Sequence, residues 1–166
     1  MKKLFLALMM MLPMAAMAQA KFGHVNSAEI MQAMPEFSQA RTDIEALTKQ
    51  YEADLKLMQD ELQKKGEAFE KEQATLPENI KQRRQQELQD MYQKIQQSYQ
   101  DNQQALQQAQ QEKMQAITTK IVDAIKKVGE AGGYVYIMDL TAGIPYISTT
   151  LSTDVTTQVK AQLGLK

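Results

Sequence analysis

The chain has no cysteine and only one histidine, His24, among its 166 residues. Without cysteine no disulfide can staple a small exported domain, no thiolate can hold structural zinc, and no lipid can be carried on sulfur. One histidine leaves a histidine-based metal site without ligands, so neither metal nor cofactor is expected. An excess of charge of one sign is also lacking. The 19 basic and 20 acidic residues give a net charge of −1, and without Lys2 and Lys3 the remaining 17 against 20 give −3. That balance offers no general attraction to nucleic acid, and no nucleic-acid partner is expected.

A single long apolar run is present, at the start. Lys2-Lys3, the run Leu4 to Leu12, and the small-residue patterns Ala16-x-Ala18 and Ala18-x-Ala20 read as a cleavable secretory signal over residues 1–20. Cleavage after Ala18 and after Ala20 fit equally well. A retained anchor is the weaker alternative, because the run is short and no stop-transfer segment comes after it. The mature chain is therefore expected to be exported and soluble.

Proline and glycine are few, and they punctuate the remainder of the chain. Phe22 to Asn26 reads as a short strand. Ser27 is placed as the N-cap of a brief helix, Ala28 to Met34, with Glu29 near its positive end. Met34 precedes Pro35 and is pushed out of helical geometry, while Pro35 suits the first turn of a new helix. From Ser38 to Thr75 the residues Ile44, Leu47, Tyr51, Leu55, Met58, Leu62 and Phe69 form one stripe at spacings of mostly three and four. The other face carries acid-before-base pairs four apart: Glu45–Lys49, Glu52–Lys56, Asp60–Lys64, Glu61–Lys65 and Glu67–Lys71. Such a helix would be about 60 Å long.

Leu76-Pro77-Glu78-Asn79 interrupts this pattern, and a return helix is predicted from Asn79 to Val128. Its stripe is Leu88, Met91, Ile95, Tyr99, Leu106, Ala109, Met114, Ile117, Ile121, Ala124, Ile125 and Val128. The spacing is heptad-like from Met114 onward and thin before it, where glutamine dominates. Folding back at Pro77 pairs residue i with about residue 155 − i, which sets several apolar residues against glutamine. The arm is thus expected to be well knit near its base and looser toward its tip, with Gly66 a further weak point or an ordinary tolerated glycine. Beyond it, Gly129 and Gly132-Gly133 end the helix. Tyr134 to Met138 and Ile144 to Ser148 read as two strands of a hairpin, the second at an edge because of Pro145. A last helix is expected from Thr156 to Leu163.

The fold class is α+β, mainly α: a long antiparallel helical-hairpin arm, residues 37–128 with its fold-back near 76–79, on a small β-containing body made of 21–36 and 129–166. The body alone is about fifty residues without staples, so it is expected to associate with copies of itself. Phe22, Val25, Val135, Ile137, Tyr146 and Ile147 are the candidate association residues. No catalytic constellation is recognisable. His24 reads as structural, Asp139 as a turn aspartate, and an enzyme is not expected. Met58, Leu62, Phe69, Met91, Tyr92 and Tyr99 are soft or aromatic groups on a poorly covered seam and form a candidate binding lining, against the alternative of ordinary coiled-coil core. Lys64, Lys65, Lys71, Lys81, Arg83 and Arg84 gather near the fold-back among Glu67, Glu70, Glu72 and Glu78. A mixed solvated tip is the favoured reading there, and a weak contact with a membrane surface or lipopolysaccharide the alternative.

The leader, the strand ending Val25-Asn26, the charged hairpin, Tyr134-Val135-Tyr136-Ile137-Met138-Asp139, Pro145-Tyr146-Ile147-Ser148 and Asp154-Val155-Thr156-Thr157-Gln158-Val159 together resemble the Skp (OmpH) family of periplasmic chaperones. The resemblance covers essentially the whole mature chain. It implies a homotrimer sharing a small β-barrel, with three hairpin arms around a cavity. The implied activity is that of an ATP-independent holdase for unfolded outer-membrane proteins in the periplasm. Some family members are strongly basic whereas this chain is slightly acidic, so shape and apolar contact are expected to matter more than charge. A structural coiled-coil spacer of the envelope is the alternative function.

Overall fold

The structure, a computed structural model, describes residues 20–165. The leader lies outside the described residues, apart from Ala20. The order of elements is β1 (Lys21–Val25), α1 (Ser27–Ala33), α2 (Pro35–Glu72), α3 (Glu78–Gly132), β2 (Tyr134–Asp139), a 3-10 turn (Leu140–Ala142), β3 (Ser152–Asp154) and α4 (Thr156–Gln162). The class is α+β and mainly α. Two compact units are distinguished: the described residues up to Ala33 with those from Lys120 onward, and Met34–Thr119.

The first unit is built on a three-stranded parallel sheet in the order β2-β1-β3. This corrects the expected hairpin. Tyr134 to Asp139 pairs with β1, and Ile144 to Ser148 forms no strand. Pro145 has no N–H to give to a ladder, and Gly143, at φ +72°, turns the chain after the 3-10 segment. The chain then reaches the other side of β1 before β3 begins, so that β3 also runs parallel. Alternation along β1 sends Gly23 and Val25 to one face and Phe22 and His24 to the other. Gly23 sits at a close approach, where a Cβ would lie 3.1 Å from Ile137 Cγ1 and 3.2 Å from the Tyr134 ring, so a larger residue would need these side chains to give by a few tenths of an ångström. On the opposite face Phe22 stacks on Tyr136 with ring centroids 4.8 Å apart.

Val25, Ile30, Val155 and Val159 are fully buried, and Ile121 and Ala124 nearly so. The core of this unit therefore draws on β1, α1, the end of α3, and α4 with the residue that precedes it. Asn26, not Ser27, caps α1: its Oδ1 accepts from the N–H of Glu29 at 3.1 Å. Both are good capping residues, but the Ser27 hydroxyl is taken by Asp139. At the other end of the unit Asp154 Oδ1 accepts from the Thr156 N–H at 2.8 Å and starts α4. Helix α3 runs through Gly129 to Gly132, beyond the expected stop. It ends where Gly133 takes φ +65° and Lys21 Nζ donates to the Gly132 carbonyl at 3.1 Å.

In the second unit, Met34 is extended (φ −78°, ψ 126°) and Pro35 opens α2, as the X-Pro restriction requires. The fold-back occupies residues 73–77, and the Pro77 carbonyl accepts from the N–H groups of Ile80 and Lys81 to begin α3. Ion pairs Asp43–Lys113 (2.6 Å), Lys65–Glu87 (2.5 Å) and Glu72–Arg84 (2.8 Å) fix an antiparallel register. It stays within about three residues of the one set by Pro77 and the 1.5 Å rise. Of the expected pairs along α2, Glu61–Lys65 is formed at 3.3 Å. No heavy atom lies within 4 Å of a Cβ built on Gly66, which sits inside α2. Gly66→Ala is accordingly expected to stabilise the hairpin by about 1 kcal/mol, read as a raised urea midpoint. A lowered midpoint would show that the backbone at this position depends on glycine.

Candidate interaction surfaces

The burial pattern of the hairpin is the notable feature of the second unit. Along α2, Ile44, Leu47, Tyr51, Leu55, Met58 and Leu62 are all half-buried, and only Ala40 and Phe69 reach the interior. Along α3 no residue from Glu78 to Ala116 is buried, and Ile117 is the first that is. An ordinary two-helix seam would close over such a stripe. Here it stays partly open, most of all in its middle, where the facing residues Ser98, Asn102 and Ala105 are small or polar. The inward row of α3 is Arg84, Leu88, Met91, Ile95, Ser98, Asn102 and Ala105, and the ion-pair register brings Leu55 and Met58 level with the Ser98–Asn102 stretch.

Two sequence-based assignments change here. Tyr99, expected in the seam, is 56 % exposed, and Ser98 takes the inward position. A row read by apolarity picks the tyrosine, but the 3.6-residue turn continued from Leu88, Met91 and Ile95 lands on Ser98 and Asn102. Phe69, expected in an open lining, is 8 % exposed, beside Lys65, Ala68, Arg84, Glu87 and Leu88. The tip is therefore not its loosest part. It is closed by an aromatic side chain and two cross-helix ion pairs, while the middle is thin. Amide hydrogen exchange is expected to be fastest around residues 92–106 and slower both at 80–88 and at 114–128. Fastest exchange at 80–88 would restore the expectation of an arm loosest at its tip.

Of the remaining candidates, Met58, Leu62 and Met91 are half-buried and Tyr92 is exposed. Leu57 escaped the sequence reading because it falls off the stripe, yet it is 68 % exposed. Of the six basic residues near the fold-back, Lys65 and Arg84 are engaged in ion pairs. The hydrogen bond that Lys65 Nζ donates to Glu87 holds the Lys65 ammonium above its usual pKa and the Glu87 carboxyl below its own. At the base, hydrogen bonds from Lys113 and Gln39 likewise hold Asp43 low.

The sheet unit carries the second surface. Val135, Tyr136, Met138, Leu140, Tyr146 and Leu151 are exposed, Tyr146 to 78 %. Strands β2 and β3 pair only with β1, so each leaves one edge without a partner strand among the described residues. Of the association candidates, Val135 and Tyr146 lie open, and Phe22, Ile137 and Ile147 are half-buried. Val25 is a correction: it is fully enclosed by its own chain, because its face of β1 is the core face.

The polar residues of this unit form ties. His24 Nδ1 lies 2.8 Å from Ser152 Oγ across the β1–β3 pairing. A hydrogen bond from Thr156 holds the Asp154 carboxyl below its usual pKa against some burial, with a smaller contribution from His24. Asp139 accepts from Ser27 Oγ (2.5 Å), Ser27 N (3.2 Å), Thr141 Oγ1 (2.8 Å) and Thr141 N (3.1 Å). Burial alone would raise its pKa, but these bonds outweigh it and hold the carboxyl low.

In chain order a long antiparallel helical hairpin, with a half-open seam, falls between the first two strands of a small parallel sheet whose outer edges have no partner strand among the described residues. Residues 21–163 match the family described as outer membrane protein (OmpH-like), and the chain belongs to that family. The fold also matches the crystal structure of a candidate outer membrane chaperone (OmpH-like) from Caulobacter crescentus CB15. The TM-score is 0.74 at 16 % identity, over 88 % of this chain and 85 % of that one. No curated protein matches the sequence. No helix among the described residues is long and apolar enough to cross a membrane.

Proposed function

We propose that this chain is a periplasmic, ATP-independent holdase that keeps unfolded outer-membrane proteins from aggregating. The half-open seam carries this reading: apolar side chains from Ile44 to Leu62 remain partly accessible along a hairpin that a structural rod would close. Methionine and tyrosine adapt to varied partners, and many weak contacts on one scaffold retain a client through high local concentration. Met58, Leu62, Met91, Tyr92 and Tyr99 are the client-facing residues proposed, with Leu57 added. Phe69 is withdrawn from that set while the tip is closed.

The working form is a homotrimer whose copies cover the open sheet edges and the exposed Val135 and Tyr146, closing a shared β-barrel. Association of this kind removes the hazard of an unpaired edge strand. A contact of the tip with acidic headgroups is left with fewer cations, since two of the six are paired.

Light scattering gives the mass, and dilution of a urea-unfolded β-barrel protein into the chaperone gives its activity. A trimer mass with suppressed turbidity is expected. A monomer mass overturns the assembly, and unsuppressed aggregation favours an envelope spacer instead.

A further inference from the structure

Helix α3 carries a second heptad row on the flank beside its inward row, open to solvent. Gln85, Gln89, Tyr92, Gln96, Tyr99 and Gln103 succeed one another at spacings of four and three, and all six are exposed. Each stands one residue after a member of the inward row, so the two rows are about 100° apart around the helix. From Gln85 to Gln111 the sequence has 13 glutamines and only four charged residues, Glu87, Asp90, Lys94 and Asp101. The three carboxylates are engaged within the hairpin: Gln86 donates to Asp90, Gln97 to Asp101, and Lys65 pairs with Glu87. The flanking row itself carries no charge, and Gln96 Nε2 donates to the Tyr92 hydroxyl at 2.8 Å.

Such a row is poor at the other tasks an exposed helix face performs. A second helix packs on aliphatic residues at heptad positions, and glutamine at most of them gives a weak seam. An anionic surface requires cations, of which the row has none. What it does offer is a ladder of amides, each with donors and an acceptor, interrupted by two rings. The group it complements is the peptide unit of an extended chain, which presents neutral N–H and C=O groups with intervening side chains. The row advances about 5 Å per position and an extended chain about 3.3 Å per residue. The two repeats do not lock into one register, which suits a client without fixed sequence.

We propose that this tyrosine–glutamine row is the surface on α3 that takes the client. It holds an unfolded, extended polypeptide by its backbone amides and by ring contact, and not by its charge. This rests on the proposed holdase function and specifies the chemistry of its client. Retention is then nearly indifferent to salt, unlike capture by a charged surface, which weakens as ions screen it.

The test uses the full mature chain and an unfolded β-barrel protein diluted from urea, with affinity read by fluorescence anisotropy of the labelled client. Wild-type affinity is expected to change less than about threefold between roughly 0.05 M and 0.5 M NaCl. A Tyr92→Ala/Tyr99→Ala double variant is expected to weaken binding about tenfold with unchanged helical circular dichroism and unchanged mass. Gln89→Glu/Gln96→Glu/Gln103→Glu, which keeps shape and adds charge, should weaken binding of an acidic client and recover in salt.

If wild type binds the client but the tyrosine variant binds equally well, the row is not the client surface and the holdase reading stands. A wild-type affinity that falls more than tenfold with salt overturns the neutral mechanism. A mass that drops in the tyrosine variant overturns the client assignment in favour of a second copy. Failure of wild type itself to bind overturns the holdase reading.

Discussion

Ile30→Ala is expected to destabilise the sheet unit by about 3–4 kcal/mol, measured as a lowered urea midpoint in the transition that reports on β1 and α4. Ile30 is fully buried, and with Val25, Val155 and Val159 it makes up the largest fully buried side chains among the described residues. A core with few such side chains has little means of collapsing around a cavity, which places the substitution toward the upper part of the range for Ile→Ala. Domains are typically stable by about 5–15 kcal/mol, so the variant loses a large share. Leu57→Ala is the contrasting control. Its side chain is 68 % exposed, and the midpoint should shift little, within about 0.5 kcal/mol. Equal losses at the two positions would mean that Ile30 is not a core residue.

Removing the Asp139 carboxylate has the second large effect. It closes the junction between the end of β2, the 3-10 turn and the start of α1 by accepting four hydrogen bonds from Ser27 and Thr141. Hydrogen bonds to a charged acceptor are the stronger kind, and Asp139→Ala is expected to cost about 2–3 kcal/mol. Asp139→Asn preserves shape but turns an NH2 toward donors, and should cost about half as much.

The lowered pKa of this group sets the pH dependence. A carboxyl whose folded pKa is depressed contributes stability that is fully present above the unfolded value, about 3.9, and is lost as pH falls through the folded value. Stability of the sheet unit should therefore decline below about pH 4. Asp154, also held low, adds to the same decline. Asp139→Asn should show a shallower acid limb than wild type, with its loss already present at pH 7. Parallel limbs in the two proteins would remove Asp139 from the account.

The helices and their register were legible in the sequence because the forces behind them are local. Pro35 and Pro77 fix where α2 and α3 begin, and the three- and four-residue spacing along α2 fixes which side is buried. The sheet was less legible. Strand β1 pairs with residues 134–139 and 152–154, and nothing within a strand states that its neighbour lies more than a hundred positions away. A local reading joins the two nearest apolar runs as a hairpin, which is what Ile144 to Ser148 invited. At the candidate surface the difficulty was a contest between chemistry and geometry. Tyr99 has the apolar side chain, Ser98 has the position, and helix geometry prevails because the inward row is set by turns of the whole helix. The cap of α1 depended on a distant acceptor, since Ser27 is drawn away by Asp139.

The placement of β1 between two strands from the far end of the chain also sets an order of events during synthesis. The hairpin joins residues near one another in sequence and can zip from Pro77 as soon as both helices exist. The sheet needs contacts of high sequence separation, and these form late because their loop-closure entropy must be met first. Its central strand is made before both of its edges, with the whole hairpin in between. A nascent chain therefore carries a finished hairpin while β1 still waits for partners. The edge strands come into being only after residues 134–154 are made, so the timing of sheet completion is written into the strand order.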